Sequence, residues 1–198
     1  DPLTGLPNRL MLEQQLGAAI PRARTQDQRL ALVFIDLNRF KSINDQYGHA
    51  TGDSVLMEVA KRLRSAVRNS DMVARLGGDE FVVILEQCSS KRLMEVASEM
   101  VSELRKFRFV ESEQRFRVGA SIGAVMIDVA WESAEQVLQA ADAACYSAKE
   151  AGRGRVHLWE QEDALLQARR ADIRWATRLE QAMEYDHFEL WAQRIDAL

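Results

Sequence analysis

Three carboxylates in the first half of the chain lie where apolar segments end. Asp36 follows the continuous apolar run 30–35, and Asp79 and Glu80 follow a pair of glycines between two further apolar runs. Like charges within about 4–6 Å raise one another's pKa unless a cation neutralises them. Oxygen ligands without His or Cys favour Mg²⁺, which is normally shared with substrate phosphates. The residues therefore predict Mg²⁺-dependent chemistry on a nucleoside triphosphate.

Each acid also has a purely structural interpretation. Asp36 suits the N-cap of a helix over 37–45. Gly77 and Gly78 can adopt positive φ without a Cβ penalty, which favours a tight β-hairpin between runs 72–76 and 81–85. The acids at its tip can then be only a solvated turn, since adjacent side chains diverge.

Positive charge for phosphates is available at three positions. Lys41, Lys149 and Arg153 can contact phosphate oxygens. For Lys149 and Arg153, placement at a helix C-terminus is an equally good explanation. The chain has no G-x-x-x-x-G-K-[ST] segment, which excludes a P-loop nucleoside triphosphatase.

The composition indicates a globular cytoplasmic protein. Hydrophobic residues make up 47% of 198 positions, and the net charge of −4 argues against a broad nucleic-acid surface. No apolar run reaches the ~18 residues of a membrane span. Cys88 and Cys145 lack C-x-x-C spacing, so we expect reduced thiols. The start at Asp1 without Met suggests an excised fragment, whose full-length parent can be membrane-anchored elsewhere.

The order of predicted elements indicates an α+β fold. Apolar periodicity predicts the order α-β-α-α-β-β-α-β-α-β, with the two central strands in the hairpin. A central, mostly antiparallel sheet covered by helices fits this order better than a doubly wound fold. The predicted helices are 9–24, 40–48, a helix from about 53 to 68, 91–106 and 131–149. The predicted strands are 30–35, 72–76, 81–85, 116–123 and 156–159.

Ordered motifs extend over residues 1 to about 159. They are DPLTGLPNR at 1–9, FIDLNRFK at 34–41, Asn44-Asp45, Gly48-His49, Gly52-Asp53, RLGGDEF at 75–81, Ser121-Ile122-Gly123, and Ala141-Asp142 through Tyr146 to AKEAGR at 148–153. Together they resemble the GGDEF domain of the diguanylate cyclase family. The resemblance implies a fold similar to the palm of adenylyl cyclases and polymerases, with a ferredoxin-like core.

The resemblance also implies a reaction and its residues. Two GTP are condensed to cyclic di-GMP in an antiparallel homodimer, with Mg²⁺ as cofactor and Mn²⁺ as a substitute. By motif position, Asp36, Asp79 and the Leu37 carbonyl are implied metal ligands. Glu80 is implied as a metal ligand or in activating the 3′-hydroxyl, and the division of roles between the two adjacent acids stays open. The implied substrate contacts are the guanine readers Asn44 and Asp53, the phosphate contacts Lys41, Lys149 and Arg153, and the backbone of Gly77 and Gly78.

Two of these residues keep a structural alternative. Asn44 can cap a helix end as well as read a base, and Asp53 suits the positive end of a helix dipole.

A second implied site binds the product. Arg68 and Asp71 match the family's inhibitory R-x-x-D motif, in which a guanidinium reads a guanine edge and a phosphate. The alternative is an exposed ion pair of little energetic value. One departure from the family pattern is Asn38, where many members carry a second Asp; we expect activity to remain.

The C-terminal segment suggests a following domain. Residues 160–186 predict a linker helix, and 187–198 resemble the start of an EAL phosphodiesterase domain, although Ala192-Gln193-Arg194 replaces Tyr-Gln-Pro. No EAL catalytic residues are present in the chain. Two hypotheses follow: an active diguanylate cyclase inhibited by its product, or an idle module that binds GTP or cyclic di-GMP and regulates an adjacent EAL domain. Sensor and EAL domains are the expected neighbours in the full-length protein, and the intact 77–81 signature favours the enzyme.

Overall fold

The apolar run before Asp36 forms the middle of a five-stranded sheet. The structure, a computed structural model, describes residues 1–26, 29–111, 114–160 and 163. Residues 1–163 form one unit; residues 164–198 form a second, which lies outside the described residues, as do most of the predicted linker helix and the whole predicted EAL start. The elements are α1 (Arg9–Gln26), β1 (Leu30–Asn38), α2 (Phe40–Tyr47), α3 (His49–Ser65), β2 (Met72–Gly77), β3 (Glu80–Leu85), α4 (Ser90–Lys106), β4 (Arg108–Glu111), β5 (Gln114–Arg117), β6 (Gly119–Ile127), α5 (Ala134–Glu150) and β7 (Val156–Leu158).

The strand order places β1 at the centre. The order is β2-β3-β1-β6-β7, with β1 antiparallel to both neighbours and β7 parallel to β6. Every residue from Leu30 to Ile35 is buried, which confirms the prediction of a central strand covered on both faces. The predicted α+β class with a mostly antiparallel sheet is also confirmed.

Helices cover the two faces with separate cores. On β1, Val33 and Ile35 pack into the core that includes α2, α3 and α4. Leu32 and Phe34 pack into the core of α1 and α5. Because side chains alternate along a strand, Asp36 continues the second set and faces α5. Among the described residues, no helix is long and apolar enough to cross a membrane.

Helix boundaries follow local capping chemistry. Asn8 caps α1 as expected, since its Oδ1 accepts from the Met11 amide at 3.1 Å. Gly48, with φ of 85°, ends α2 as predicted. The alternative of Asp36 as an N-cap is wrong: β1 continues through Asn38, and Arg39 is the residue that precedes α2.

Three other boundaries differ from prediction. Helix α3 begins at His49 rather than near Asp53. Helix α5 begins after Ser133, whose side chain accepts from the Gln136 amide. The single strand predicted over 116–123 is divided, because β5 pairs with β4 in a separate two-stranded sheet whereas β6 joins the main sheet.

Candidate active site

The signature turn, Gly77 to Glu80, presents the two predicted catalytic acids at the end of the central hairpin. Gly77 and Gly78 have φ of +150° and +48°, values that favour glycine. A Cβ added to either would meet nothing within 4 Å, so glycine serves the backbone shape and leaves the turn open to a ligand. The predicted hairpin is confirmed.

The last turn of α5 supplies the counter-charge of Asp36. Asp36 lies opposite Glu80 on β3 and Ser121 on β6. The Lys149 Nζ donates to Asp36 Oδ2 at 2.5 Å, and the two side chains are 30% and 16% exposed. Burial, the largest single influence, lowers the pKa of Lys149, but the hydrogen bond to Asp36 and the nearby negative charges together outweigh it, so the pKa is raised. A predicted phosphate contact and a predicted metal ligand are therefore paired.

Negative charge concentrates around this ion pair. Burial and then the charge of Asp36 raise the pKa of Asp79. Burial, followed by the charges of Asp142 and Asp36, raises the pKa of Glu80. The Asp79 carbonyl also accepts from the Leu37 amide at 3.3 Å, which fixes the turn against the end of β1. The site is thus electrostatically prepared for a cation.

Asp142 is a site residue that the roles assigned from sequence missed. It lies on α5, and burial raises the pKa of its carboxyl. With Glu80 it lines a cleft of about 600 Å³. A signal was present in the sequence, because Asp142 is the only charged residue within the apolar run 140–145.

The donor set fits a cation that the protein shares with a nucleotide. In the described part of the chain, no three His, Cys, Asp or Glu side chains are arranged to enclose a metal ion. Mg²⁺ needs only one or two carboxylates when phosphates and waters complete its coordination. Asp36 and Asp79 provide such oxygens, and the Lys149 ammonium already neutralises the first of them. The residues fit an open Mg²⁺ site and not a closed protein cage.

Asn38, the departure from the family pattern, has its own partner. The buried Ser121 hydroxyl donates to Asn38 Oδ1 at 2.8 Å. Asn38 and Asp36 share a strand face by alternation. The amide therefore lies near the acids without adding a charge.

The predicted guanine readers lie on neighbouring helices. The Asn44 Oδ1 is buried without a hydrogen-bond partner, and a Cβ at Gly52 would come within 1.8 Å of it. A buried polar atom without a partner is costly, which suits a group that awaits a ligand. Asp53 is exposed. Its charge and that of Asp79 both act on Arg75, whose pKa burial lowers.

Two predicted phosphate contacts make no hydrogen bond or ion pair with the acids among the described residues. Lys41 on α2 and Arg153 after α5 are exposed, and no hydrogen bond or ion pair links their side chains to a described residue. Arg153 has φ of 59° and its amide donates to the Ala148 carbonyl. Among the described residues, Lys149 is the one predicted cation that forms an ion pair with a predicted metal ligand.

The predicted inhibitory residues have different surroundings. Asp71 is 6% exposed, and its carboxylate accepts from the backbone amides of Arg68 and Glu86 at 3.0 and 3.1 Å. Arg68 is exposed and lines a cleft of about 210 Å³ together with Arg92. The interpretation as an exposed ion pair is wrong for Asp71, whose carboxylate is buried and holds the loop through two backbone amides.

These observations define a palm-like α+β domain with an acidic turn prepared for a cation. Residues 1–155 match the family profile described as "Diguanylate cyclase, GGDEF domain". The chain belongs to the GGDEF family.

The individual relatives are named for the synthesis, hydrolysis or binding of cyclic di-GMP. The chain is 43% identical over 171 residues to the protein named probable diguanylate cyclase DgcE of Escherichia coli, covering 86% of this chain and 16% of that protein. It is 32% identical over 198 residues to cyclic di-GMP phosphodiesterase PdeB of Shewanella oneidensis, covering 100% and 23%. It thus spans less than a quarter of both relatives. The coiled coil and GGDEF domain of DgcB from Caulobacter crescentus, in complex with c-di-GMP, has a similar fold, with a TM-score of 0.75 and 28% identity over 80% of this chain and 84% of that chain.

Proposed function

We propose that this chain is the catalytic domain of a diguanylate cyclase, which condenses two GTP into cyclic di-GMP. The observation that carries the proposal is the set of acids around the signature turn, with Asp36 paired to Lys149, in a GGDEF chain. The DgcB structure with c-di-GMP supports a nucleotide product for this fold.

Each group has a role in this reaction. Asp36, Asp79 and the Leu37 carbonyl hold Mg²⁺, which when bound adds positive charge at the phosphate oxygens. Glu80 takes the 3′-hydroxyl proton or completes the metal ligands. The phosphates are bound by Lys41, Lys149, Arg153 and the open backbone of Gly77 and Gly78. The guanine base is bound by Asn44 and Asp53.

Guanine recognition rests on the Asn44 side chain, whose Oδ1 atom has no hydrogen-bond partner among the described residues. A site that hydrogen-bonds one base edge rejects a base lacking the matching groups, because its own polar atoms are then left without partners. Asn44 supplies such an atom, and Asp53 lies next to the glycine that accommodates it.

Two copies of the domain are needed for one product. Each 3′-hydroxyl attacks the α-phosphate of the GTP held by the other copy, so two O–P bonds form and two pyrophosphates leave. The proposed homodimer makes the rate per protein depend on protein concentration. Product that accumulates binds at Arg68 and inhibits the enzyme.

The test is a product assay. The purified chain is incubated with GTP and Mg²⁺ at several protein concentrations, and the nucleotides are separated by chromatography. We expect cyclic di-GMP whose yield per protein rises with concentration, and no product from Asp79→Ala of unchanged fold. Synthesis by Asp79→Ala would refute the metal assignment.

The alternative is a regulatory module. The match to PdeB over all 198 residues favours it, because that protein is named for the opposite reaction. In this case residues 160–186 link the domain to an EAL domain that begins near 187, and a sensor domain supplies the input to a cytoplasmic protein. GTP binding without product at any concentration would select this alternative.

A further inference from the structure

We propose that Lys149 is an exchangeable counter-ion of Asp36, which holds the metal-ligand carboxylate until the triphosphate draws the ammonium away. The inference rests on the proposed function, since it assigns an order of events to the same site. Its consequence is that the cation binds weakly to the nucleotide-free chain and tightly together with the nucleotide.

The contact between Lys149 and Asp36 is direct and largely shielded from solvent. The Nζ–Oδ2 distance is 2.5 Å, with exposures of 30% for Lys149 and 16% for Asp36. The residues are 113 positions apart, so the pair exists only because α5 lies across the sheet. A contact between opposite charges at this burial is stronger than one in water.

Only the tip of Lys149 is free to move. Asp36 is fixed in the central strand between β3 and β6. Helix α5 is fixed too, because a Cβ at Gly123 would lie 2.0 Å from the Ala141 carbonyl oxygen, which shows backbone-to-backbone packing. The lysine has four methylenes and rotates without either backbone moving.

Charge decides which cation Asp36 holds. An ammonium in contact with the carboxylate repels a divalent ion that approaches the same oxygens. When Lys149 leaves, the Asp36 carboxylate stays opposite Glu80 on β3 and close enough to Asp79 to raise the pKa of that acid, and this negative charge attracts a cation. A triphosphate offers Lys149 several new acceptors and at the same time offers the cation further oxygens. Binding of the nucleotide therefore raises the affinity for the cation, and binding of the cation raises the affinity for the nucleotide by the same factor.

The test measures metal binding without turnover. Mn²⁺ is titrated into the nucleotide-free chain, and free Mn²⁺ is followed by electron paramagnetic resonance. We expect Lys149→Gln to bind Mn²⁺ about tenfold more tightly than the unaltered chain, a typical size for such coupling. Arg153→Gln removes the same charge from the turn after α5 and is expected to change the affinity less than about twofold.

Two further variants keep the outcome decisive. Adding Asp36→Asn to Lys149→Gln should abolish the gain, which places the ion at Asp36. Lys149→Met replaces Lys149→Gln if the latter does not fold by circular dichroism. No gain in either Lys149 variant, or equal gains with Arg153→Gln, would overturn the proposal.

The Mn²⁺ titration and the product assay test the two proposals separately. A chain that makes cyclic di-GMP without the Lys149-dependent gain refutes only the counter-ion exchange. A chain that shows the gain but makes no product refutes only the cyclase and leaves the exchange in a nucleotide-binding module.

Discussion

Arg75 and Asp1, which are 74 positions apart, form an ion pair with a nitrogen–oxygen distance of 3.2 Å. Their side chains are only 11% and 17% exposed. The other guanidinium nitrogens of Arg75 donate to the Gly78 carbonyl at 2.7 and 3.1 Å. One side chain therefore connects the N-terminal loop to the turn that carries the acids.

Asp1→Ala is expected to lower both stability and synthesis. The guanidinium loses its carboxylate while largely buried, which costs about 1–3 kcal/mol in the free energy of unfolding. The loosened turn should reduce kcat about tenfold with a smaller change in KM. Urea denaturation and steady-state kinetics measure both effects. Glu103→Gln, which removes an exposed helix pair, is the control and should cost less than about 0.5 kcal/mol.

Gly52→Ala is expected to disturb guanine binding without unfolding the protein. The added Cβ would lie 1.8 Å from Asn44 Oδ1, the end of a side chain that can rotate away, and 3.1 Å from Phe40 Cζ, which must shift slightly. The displaced amide no longer meets the base, so KM for GTP should rise about tenfold and selectivity over ATP should fall. Gly17→Ala adds the same methyl on α1, where nothing lies within 4 Å, and should leave KM unchanged.

Gly123→Ala is expected to lower the free energy of unfolding of the domain by about 1–3 kcal/mol. The new Cβ would meet the Ala141 carbonyl oxygen at 2.0 Å and the Cys145 nitrogen at 2.4 Å, and backbone atoms cannot rotate aside. Thermal unfolding measures the loss. Gly119→Ala on the same strand meets the Asn38 side chain, Nδ2 at 3.4 Å and Cβ at 3.9 Å, and should unfold near the unaltered temperature.

Arg68→Ala and Asp71→Ala should have separable effects. Arg68→Ala removes an exposed cation from the cleft, so added cyclic di-GMP should inhibit less while stability stays within about 0.5 kcal/mol. Asp71→Ala leaves two amides without an acceptor and should cost about 1–3 kcal/mol. Inhibition curves and denaturation distinguish the two. Inhibition unaffected by Arg68→Ala would remove this cleft from consideration as the regulatory site.

Cys145 is expected to resist alkylation in the folded protein. Burial raises the pKa of its thiol to about 12, and the sulfur lies 3.2 Å from the Ser121 carbonyl. At pH 8 only about one thiol in ten thousand is then ionised, and the thiolate is the reactive form. Mass spectrometry after iodoacetamide treatment should find Cys145 unmodified until urea is added. Rapid modification of the native chain would contradict its burial.

Local patterns predicted the frame of the site. The unbroken apolar run before Asp36 identified a central strand, and the glycine pair identified the turn that brings Asp79 near it. Both inferences needed only residues that are neighbours in sequence. A strand buried on both faces is a continuous apolar run, and a backbone with positive φ favours glycine.

Contacts across the chain were not predictable in the same way. Lys149 is a good helix C-terminal residue on any fold, and its pairing with Asp36 depends on where α5 crosses the sheet. The motif at Asp71 suggested a ligand contact, but only the folded loop shows that its oxygens serve backbone amides. The separate β4–β5 ribbon was missed because the alternating pattern does not mark where a strand changes its partner.

The covering of β2 has a further consequence for solubility. An edge strand with free amides and carbonyls invites pairing with another molecule. In this domain the Arg75 amide on β2 donates to the Pro7 carbonyl at 2.9 Å, and at the opposite edge β7 has only three residues. The N-terminal loop thus acts as a guard against edge-to-edge aggregation. A chain trimmed of its first seven residues should associate through open strands, a state distinct from a dimer that brings two nucleotides together.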